Sequence, residues 1–577
     1  MKTVKLLPLL MLVLIGLPAV VQAQFTFTTN NGTITITKYT GPGGEVMIPS
    51  TTNGLPVTSI GNNAFSYCTS LTSIMIANSV TNIGSSAFAE CTSLSNVTIG
   101  TSVIFIGDNA FDHCSSLASV TIPDSVTSIG TSFNYCTSLT NVTIGNSVTS
   151  IGDAALFYYC TSLTAITVDT NNPAYSSVDG VFFNKSQTML IQYPAAHAGI
   201  SYTIPNSVTS IGHLAFYGCT SLTNVTIPDS VTSIGSDAFF CCFSLTSVTI
   251  PDSVTSIGDE ALYYCISLTA ITVDTNNPAY SSLDGVLFNK SQTTLFQWPG
   301  GKAGSFTIPN SVTYIETYAF SECYRLTSVT IPNSITSIGD YAFEYCHSLT
   351  NVMIGDVTNI GHLAFYGCSS LTAITVDTNN RAYSSVDGVL FSKSQKTLIQ
   401  WPWGKAGSYT VPNSVTYIRD YAFYNCTSLT NVTIGNSVTL IGDQAFEGCS
   451  SLMGVYFKGN APSLGSFGSS VFYGDNKATV YYLPGTTGWS TTFGGLPTKL
   501  WNPQAQTSGA SFGVRTNWFG FNITGTSGLV IVVEACTNFA NPVWIPVATK
   551  TLTSGSVYFS DSQWTNYPGR FYRLRSP

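Results

Sequence analysis

The chain has 577 residues and a net charge of −8, with 20 Lys and Arg against 28 Asp and Glu. Charged residues make up only 8% of it, where about 25% is usual in a globular domain, and hydrophobic residues reach 44%. This composition excludes wholesale disorder, because it can build a sizeable core, and it argues against nucleic-acid binding, because affinity for phosphate needs clustered Lys and Arg.

The first residues are typical of an export signal. Lys2 and Lys5 precede an apolar run from Leu6 to Val21, and Ala23 suits the position that signal peptidase inspects. We therefore predict a secretory signal peptide over residues 1–23, with an uncleaved membrane anchor as the alternative. No later apolar run reaches the roughly 18 residues that a spanning helix needs, so we expect no transmembrane segment in the mature chain.

Repetition dominates the residues that follow. The unit ends at Cys, as in SLTSVTIPDSVTSIGDEALYYC, and Phe stands three residues before every phased Cys except at Leu262. The phased cysteines are Cys68, Cys91, Cys114, Cys136, Cys160, Cys219, Cys242, Cys265, Cys323, Cys346, Cys368, Cys426 and Cys449. A bulky residue at a fixed phase predicts one layer of core per unit.

Each unit contains two extended pieces. Leu245, Val248 and Ile250 are the apolar positions of the first piece, which Pro251 ends because it has no N–H for a strand ladder. Residues 254–257 alternate again, and the rest of the unit is too short for more than a helical or 3₁₀ turn. Stacked copies predict a mainly β fold, a β-solenoid with a parallel sheet.

Three longer gaps between cysteines hold similar inserts. They begin at Asp169, Asp274 and Asp377, and the first reads DTNNPAYSSVDGVFFNKSQTMLIQYP. Because they repeat with a block of three units, duplication of that block is the simplest explanation. We predict a β-hairpin insertion at each of the three positions.

The units resemble the BspA-like, or Treponema pallidum-type, leucine-rich repeats of bacterial surface proteins. That family follows L-x-x-V-x-I-P-x-S-V-T-x-I-G-x-x-A-F-x-x-C, and residues 227–242, IPDSVTSIGSDAFFCC, carry nearly all of its second half. The resemblance extends over about residues 25–455. It implies a leucine-rich-repeat solenoid with hairpin insertions, and attachment to extracellular proteins or to other cells.

The remaining segments complete the predicted organisation. We expect an N-terminal capping half-repeat at 24–57, leucine-rich repeats at 58–455, a C-terminal cap at 456–503, a linker at 504–513 and a small β-sandwich-like module at 514–577. The last segment, PGRFYRLRSP, is similar to C-terminal β-modules of secreted bacterial repeat proteins. Anchoring or sorting by this module is a hypothesis.

The sequence predicts no catalytic residue, metal site or cofactor. Neighbouring strands lie about 4.8 Å apart, wider than the Cβ separation that a disulfide prefers, and no C-x-x-C pair suits zinc. We therefore expect buried free thiols, with the out-of-phase Cys241 and Cys536 more reactive than the others. The segment from Asp169 resembles the start of a calcium loop, but Pro173 lacks a side-chain oxygen, which favours turn capping.

Two features could bind a partner. Each unit places Thr between two buried apolar residues, so strand alternation turns it away from the core, although β-propensity and solubility explain the same pattern. The candidates of this kind are Thr98, Thr121, Thr143, Thr226, Thr249, Thr330 and Thr433.

The second feature is the aromatic residues expected at the tips of the inserts, unless the hairpins pack on their own coils. They are Tyr193, Trp298, Trp401 and Trp403.

We therefore predict a bacterial recognition and adhesion protein, secreted or on the cell surface, that is not an enzyme. Its partners would be extracellular proteins or glycans, bound through weak contacts that repetition makes multivalent. One alternative is a glycan-binding module that uses the aromatic residues of the inserts. Another is a structural surface-layer component that associates with itself.

Overall fold

The structure, a computed structural model, describes residues 24–152 and 157–576. The predicted signal peptide, residues 1–23, lies outside the described residues. The chain forms two compact units, one of residues 24–302 with Phe320–Cys323 and the other of Ala303–Ala319 with residues 324–576. Both units are built almost entirely of strands and turns, which confirms the mainly β prediction.

Each repeat makes one coil with two strands, which we call the front strand and the back strand. In one coil the front strand is Ser247–Ile250, with Val248 and Ile250 buried between exposed neighbours. Pro251 follows it, and the back strand is the short Ser256–Ile257. Equivalent strands of successive coils pair in parallel and in register, as Val225 does with Val248.

In the first unit the front strands form sheets of three, three and four strands. They are Gly44–Met47, Leu71–Met75 and Asn96–Thr98; Ser119–Ile122, Asn141–Ile144 and Ala165–Val168; and Ser201–Thr203, Asn224–Thr226, Ser247–Ile250 and Ala270–Val273. The strands that open the chain and the back strands are Phe25–Asn30, Thr33–Tyr39, Thr51–Thr52, Leu55–Ile60, Asn82–Ile83, Phe105–Ile106, Ser128–Ile129, Ser150–Ile151, Ser210–Ile211, Ser233–Ile234 and Ser256–Ile257. The insert strands are Tyr175–Val178, Val181–Asn184, Met189–Gln192, Tyr280–Leu283, Val286–Asn289 and Thr294–Gln297.

The second unit repeats this plan and adds the C-terminal module. Its front-sheet strands are Gly304–Thr307, Leu326–Ile331, Asn351–Ile354, Ala373–Val376, Gly407–Thr410, Leu429–Ile434, Gly454–Phe457, Thr479–Tyr482, Thr492–Phe493 and Leu496–Leu500. Its back strands are Tyr314–Ile315, Ser337–Ile338, Asn359–Ile360, Tyr417–Ile418, Leu440–Ile441 and Ser463–Leu464, and its insert strands are Tyr383–Val386, Val389–Ser392 and Thr397–Gln400. The 3₁₀ turns are Gly468–Ser470 and Trp564–Asn566.

Close packing of neighbouring coils explains the glycine that follows most back strands; Glu316 and Arg419 take its place in the two coils that come after the second and third inserts. A Cβ atom on Gly258 would lie 2.3 Å from the backbone nitrogen of Ser236 in the preceding coil. Such a contact would force the two coils apart, so the turn accepts Gly for its small volume.

The core of each coil is centred on the Phe that precedes Cys by three residues. Phe65, Phe88 and Phe111 stack with ring centroids 4.8 and 5.1 Å apart, and all three are fully buried. In the second unit Phe423 and Phe446 stack at 4.6 Å. We call this stack the phenylalanine column; it is the layered core that the repeat predicts.

The phased cysteines satisfy backbone carbonyls inside this core. The Sγ of Cys91 donates to the carbonyl of Phe65 in the preceding coil at 3.1 Å, and Cys114 does the same to Phe88 at 3.3 Å. In the second unit Cys449 donates to the carbonyl of Phe423 at 3.0 Å. A thiol therefore fits this position as a small apolar group that also supplies a weak donor.

A buried Asn fastens each insert to the coil before it. The amide of Asn172 donates to the carbonyls of Gly145 and Val148 at 2.8 and 3.0 Å. Its Oδ1 accepts the backbone N–H groups of Ala174 and Tyr175 at 2.9 and 2.8 Å. Asn277 and Asn380 repeat this arrangement. All hydrogen-bonding groups of the amide are used, which explains full burial of a polar side chain.

The C-terminal module has two antiparallel sheets that face each other. One contains Gln504–Ala505, Gly513–Arg515, Trp518–Thr524 and Ser556–Asp561; the other contains Val530–Cys536, Ile545–Thr551 and Phe571–Arg575. Phe521, Ile531, Val533 and Phe559 are buried in one cluster contributed by both sheets. This arrangement confirms the predicted β-sandwich-like module, but Gln504–Ala505, which was predicted to lie in a linker, is a strand of it. Across residues 24–152 and 157–576, no helix is long and apolar enough to cross a membrane.

The substitution Asn172→Asp tests the clamp at the first insert. It replaces a donor with an acceptor that faces two carbonyls, so we expect a loss of about 3 kcal/mol in the free energy of unfolding. Chemical denaturation followed by circular dichroism measures this loss. The exposed neighbour offers a matched control, since Asn171→Asp should change stability little; equal effects of the two changes would contradict the role of Asn172.

Asp475 takes the place of Cys at the end of the column. Phe472, three residues before it, stacks on Phe446 at 5.2 Å, and Asp475 is buried. Burial raises the pKa of this carboxyl from 3.8 to about 8. The folded protein therefore keeps a proton that the unfolded chain loses near pH 4. The stability gained in this way is complete below that pH, falls as the pH rises, and is lost above about pH 8.

We expect Asp475→Asn to flatten the decline of melting temperature between pH 5 and pH 9, because the amide has no proton to lose. Thermal unfolding at a series of pH values gives the comparison. Asp252→Asn, at an exposed carboxylate, should leave the profile unchanged. A parent and an Asp475→Asn profile that run parallel would show that Asp475 does not control this pH dependence.

Candidate interaction surface

The front strands present a column of threonines to solvent. Six of the seven predicted threonines are exposed, each between buried apolar residues. They are Thr98, Thr121, Thr143, Thr226, Thr249 and Thr330. Burial of Val120 and Ile122 on either side of Thr121 shows why, since alternate side chains of a strand point to opposite faces. We call the outward positions of the front strands the threonine column.

Parallel pairing places equivalent residues of this column side by side. In the first unit Thr121 pairs with Thr143, and Thr249 pairs with Thr272. In the second unit Thr330 is beside Met353, which is 53% exposed. Since paired strands lie about 4.8 Å apart, the column offers hydroxyl groups at that spacing within each sheet.

The front strands that carry this column are uncharged. No charged residue occurs in the front strands from Asn96–Thr98 to Thr479–Tyr482. Within the part of the chain that the structure describes, the hydroxyls of the six exposed threonines make no hydrogen bond. These groups can therefore donate to and accept from a bound partner without breaking a bond inside the protein.

Thr433 departs from the prediction, because it is only 7% exposed. Its Oγ1 lies 3.5 Å from the Oγ of Ser576, and the outward positions beside it are Tyr456 and then Tyr481. These two tyrosines stack at 4.8 Å and belong to the buried cluster of the C-terminal module. The module therefore covers the column at Thr433, which is not part of the open surface.

The aromatic residues of the inserts are not exposed tips, and the prediction of their position was wrong. Tyr193, Trp298 and Trp401 are 2%, 1% and 1% exposed. Their rings stack on Phe216, Phe320 and Phe423 with centroids 5.2, 5.9 and 5.8 Å apart, respectively. Each insert adds a coil of its own, and its Tyr or Trp fills the place of Phe in the column.

Hydrogen bonds confirm this equivalence. The backbone N–H of Trp401 donates to the carbonyl of Ala422 at 2.8 Å, as Phe423 does to Ala445 one coil later at 2.7 Å. The indole N–H of Trp401 donates to the carbonyl of Lys405 at 3.2 Å. Trp403 is partly buried and packs on Tyr366 and Tyr424 with centroids 5.0 and 6.2 Å away.

The cysteines are free thiols, and twelve of the thirteen phased ones are buried. Burial raises the pKa of the Cys91 thiol to about 12, so it is protonated and a poor nucleophile at neutral pH. The two thiols predicted to be more reactive differ in their exposure. Cys536 is buried, and burial raises the pKa of the partly buried Cys241 to about 12.

The turns that resemble calcium loops are capped by their own side chains. Oδ1 of Asp169 accepts the backbone N–H of Asn171 at 2.8 Å, and Asp274 and Asp377 repeat this bond. Among residues 24–152 and 157–576, no group of three or more His, Cys, Asp and Glu side chains could hold a metal ion.

Comparison with known proteins identifies the repeat. A family model described as BspA type leucine rich repeat region matches residues 58–189, 198–302, 292–402 and 404–490 in six copies. These ranges together cover well over half of the chain. No protein with a curated description matches it.

Similar solved structures come from bacteria. A leucine rich cell surface protein of Faecalibacterium prausnitzii is 31% identical, with 76% of this chain and 94% of that chain covered and a TM-score of 0.37. A leucine-rich repeat protein of Eubacterium ventriosum is 28% identical, with coverage of 64% and 98% and a TM-score of 0.46. A third, from Bacteroides ovatus, is 25% identical, with coverage of 75% and 93% and a TM-score of 0.36.

The substitution Trp401→Ala distinguishes a core residue from a binding residue. We expect it to lower the free energy of unfolding by about 3–5 kcal/mol, because it removes a buried ring from the phenylalanine column. Trp403→Ala, at a partly buried ring, should cost less. Denaturant unfolding of both variants measures the difference, and a negligible loss in Trp401→Ala would contradict its place in the core.

Proposed function

This chain belongs to the family of proteins with BspA-type leucine-rich repeats, and we propose that it is a secreted or cell-surface adhesion protein that binds extracellular proteins. The family is one of bacterial surface proteins built from non-enzymatic repeats. The proposed binding surface is the threonine column taken within each unit, from Thr98 to Thr249 in the first unit and at Thr330 in the second. The observation that carries the proposal is its row of exposed hydroxyls without internal partners, on strands without charge.

The energetics of this surface suit adhesion more than tight binding of one small ligand. A single hydroxyl contributes only about 1 kcal/mol in a net hydrogen bond. Repetition along the sheets multiplies such contacts, and linked weak sites gain avidity because the later contacts form within one complex. We therefore expect an extended protein partner, engaged at several coils at once.

Burial of the insert aromatics argues against the alternative in which these rings bind a glycan. Stacking on a sugar needs an open ring face, and the rings of Tyr193, Trp298 and Trp401 lie inside the phenylalanine column. The exposed threonines of the column, by contrast, supply hydroxyl groups and no aromatic ring. These features favour a protein partner at the column.

A triple substitution on the threonine column tests the proposal. We expect Thr121→Arg, Thr143→Arg and Thr249→Arg together to weaken binding to purified extracellular matrix proteins at least about tenfold, because bulky charges interrupt several linked contacts. Surface plasmon resonance with the exported chain, residues 24–577, measures this. The matched control changes the exposed Thr127, Thr149 and Thr232, next to the back strands, to Arg.

Equal loss in both triple variants, or no binding by the parent, would contradict the proposal. If the parent instead assembles with itself as its concentration rises, and captures no other protein, the chain is a structural component. Analytical ultracentrifugation of the parent alone gives that second readout.

A further inference from the structure

The second unit contains a cleft of about 620 Å³ where the C-terminal module meets the front sheet. One wall is the outward face of the front strands, including Thr410, Thr433, Tyr456 and Tyr481. The other wall is the last strand of the module, Phe571–Arg575. A cleft of this volume falls within the range of roughly 300–1,000 Å³ that small-molecule sites occupy.

The lining of the cleft carries an excess of positive charge. Lys458 is exposed, and the side chains of Arg573 and Arg575 are 48% and 40% exposed. Both guanidinium groups bind Glu534, at 2.8 and 2.5 Å, so one carboxylate serves two cations. One positive charge remains on this pair, and Lys458 adds a second.

Glu534 stays ionised in this arrangement. Burial works against its charged form, but hydrogen bonds from Arg575 and Arg573 outweigh burial and hold the pKa of the carboxyl below its ordinary value. The two arginines are therefore held in fixed positions beside the cleft and need little ordering when a ligand binds.

Basic residues are also concentrated in the part of the sequence that forms the cleft. Residues 24–455 contain 10 basic and 25 acidic residues, whereas residues 456–577 contain 8 basic and 3 acidic ones. The last fifth of an acidic chain is thus basic. This part of the protein attracts anions that the repeats repel.

Hydroxyl and aromatic groups form the rest of the lining. Thr410, Thr433, Tyr456 and Tyr481 supply hydroxyls, which both donate and accept hydrogen bonds as the hydroxyls of a sugar require. Trp501 also lines the cleft, and its indole nitrogen is buried without a hydrogen-bond partner among the described residues.

The front strand Leu429–Ile434, which carries Thr433, cannot add a peptide strand. Leu429–Ile434 pairs with Gly407–Thr410 on one side and with Gly454–Phe457 on the other. Its backbone groups are therefore engaged, and this strand offers only side chains to the cleft. A ligand recognised here is read by hydroxyls, rings and cations, which suits a sugar that carries an anionic group.

We propose that this cleft binds an acidic saccharide, with the carboxylate, sulfate or phosphate of the sugar at Lys458 and the Arg573–Arg575 pair. The sugar hydroxyls bond to the Thr and Tyr side chains of the front strands. This site is separate from the open threonine column and takes a different class of ligand. Its existence does not depend on the protein partner proposed above.

Isothermal titration calorimetry with the exported chain tests the site. The probes are oligogalacturonate for carboxylate, heparin oligosaccharides for sulfate, a mannose-6-phosphate oligosaccharide for phosphate, and a neutral dextran oligosaccharide. We expect at least one acidic probe to bind at least about tenfold more tightly than dextran, because charge-assisted hydrogen bonds are stronger than neutral ones. The probe that binds identifies the anionic group.

Lys458→Gln should weaken binding of that probe about tenfold, because it removes one of the cations at the cleft. Lys477→Gln is the matched control, because Lys477 is exposed in the same segment but does not line the cleft. Lys458 is at the surface, so its replacement leaves the fold intact, as circular dichroism will confirm.

Four outcomes would overturn the proposal. They are the absence of binding by every acidic probe, equal binding of dextran, equal losses in Lys458→Gln and Lys477→Gln, and salt-sensitive self-association of the chain without saccharide binding. The last outcome would assign the basic surface to a second copy of the chain.

Discussion

Within each unit, the constraint that governs the structure is the placement of every residue directly beside its equivalent in the previous coil. Backbone hydrogen bonds and the phenylalanine column impose it together, as the rings of Phe88 and Phe111 show at 5.1 Å. A given repeat position therefore has similar neighbours in successive coils, and it favours the same type of side chain in each. This explains why the thiol of Cys114 and the glycine at Gly258 recur: each meets a packing or bonding need that most coils share.

The same constraint explains the inserts. A chain that leaves the repeat for about thirty residues must still return with an aromatic ring in the column, or the next Phe would face a void. Trp401 meets this need, and its larger ring fills a coil that lacks the usual F-x-x-C turn. Asn380 secures the start of that insert by bonding to carbonyls of the coil before it. An insert is thus an elaborated coil and is not a separate appendage.

The sequence predicted what periodicity controls and missed what depends on contacts between distant segments. Spacing alone was enough for the repeat, the three hairpins and the outward threonines such as Thr121. Nothing local distinguishes Thr433 from them, because its burial comes from Ser576 at the far end of the chain. The sequence predicted an exposed position for Trp298, which is buried, because a Trp next to a Pro occurs both in exposed turns and in cores. The burial of Asp475 could have been predicted from the sequence. Phe472 precedes it by three residues, which is the spacing that separates Phe from Cys in the repeats.

Repetition also limits what such a surface can recognise. Identical coils can offer only the same weak contact many times, so the threonine column suits a broad partner. The end of the repeat brings together groups that the coils do not repeat. There Tyr456 and Tyr481 replace Thr, and the C-terminal strand brings arginine to the front sheet. The cleft therefore has the chemical variety that the coils lack, because two different folds contribute to it.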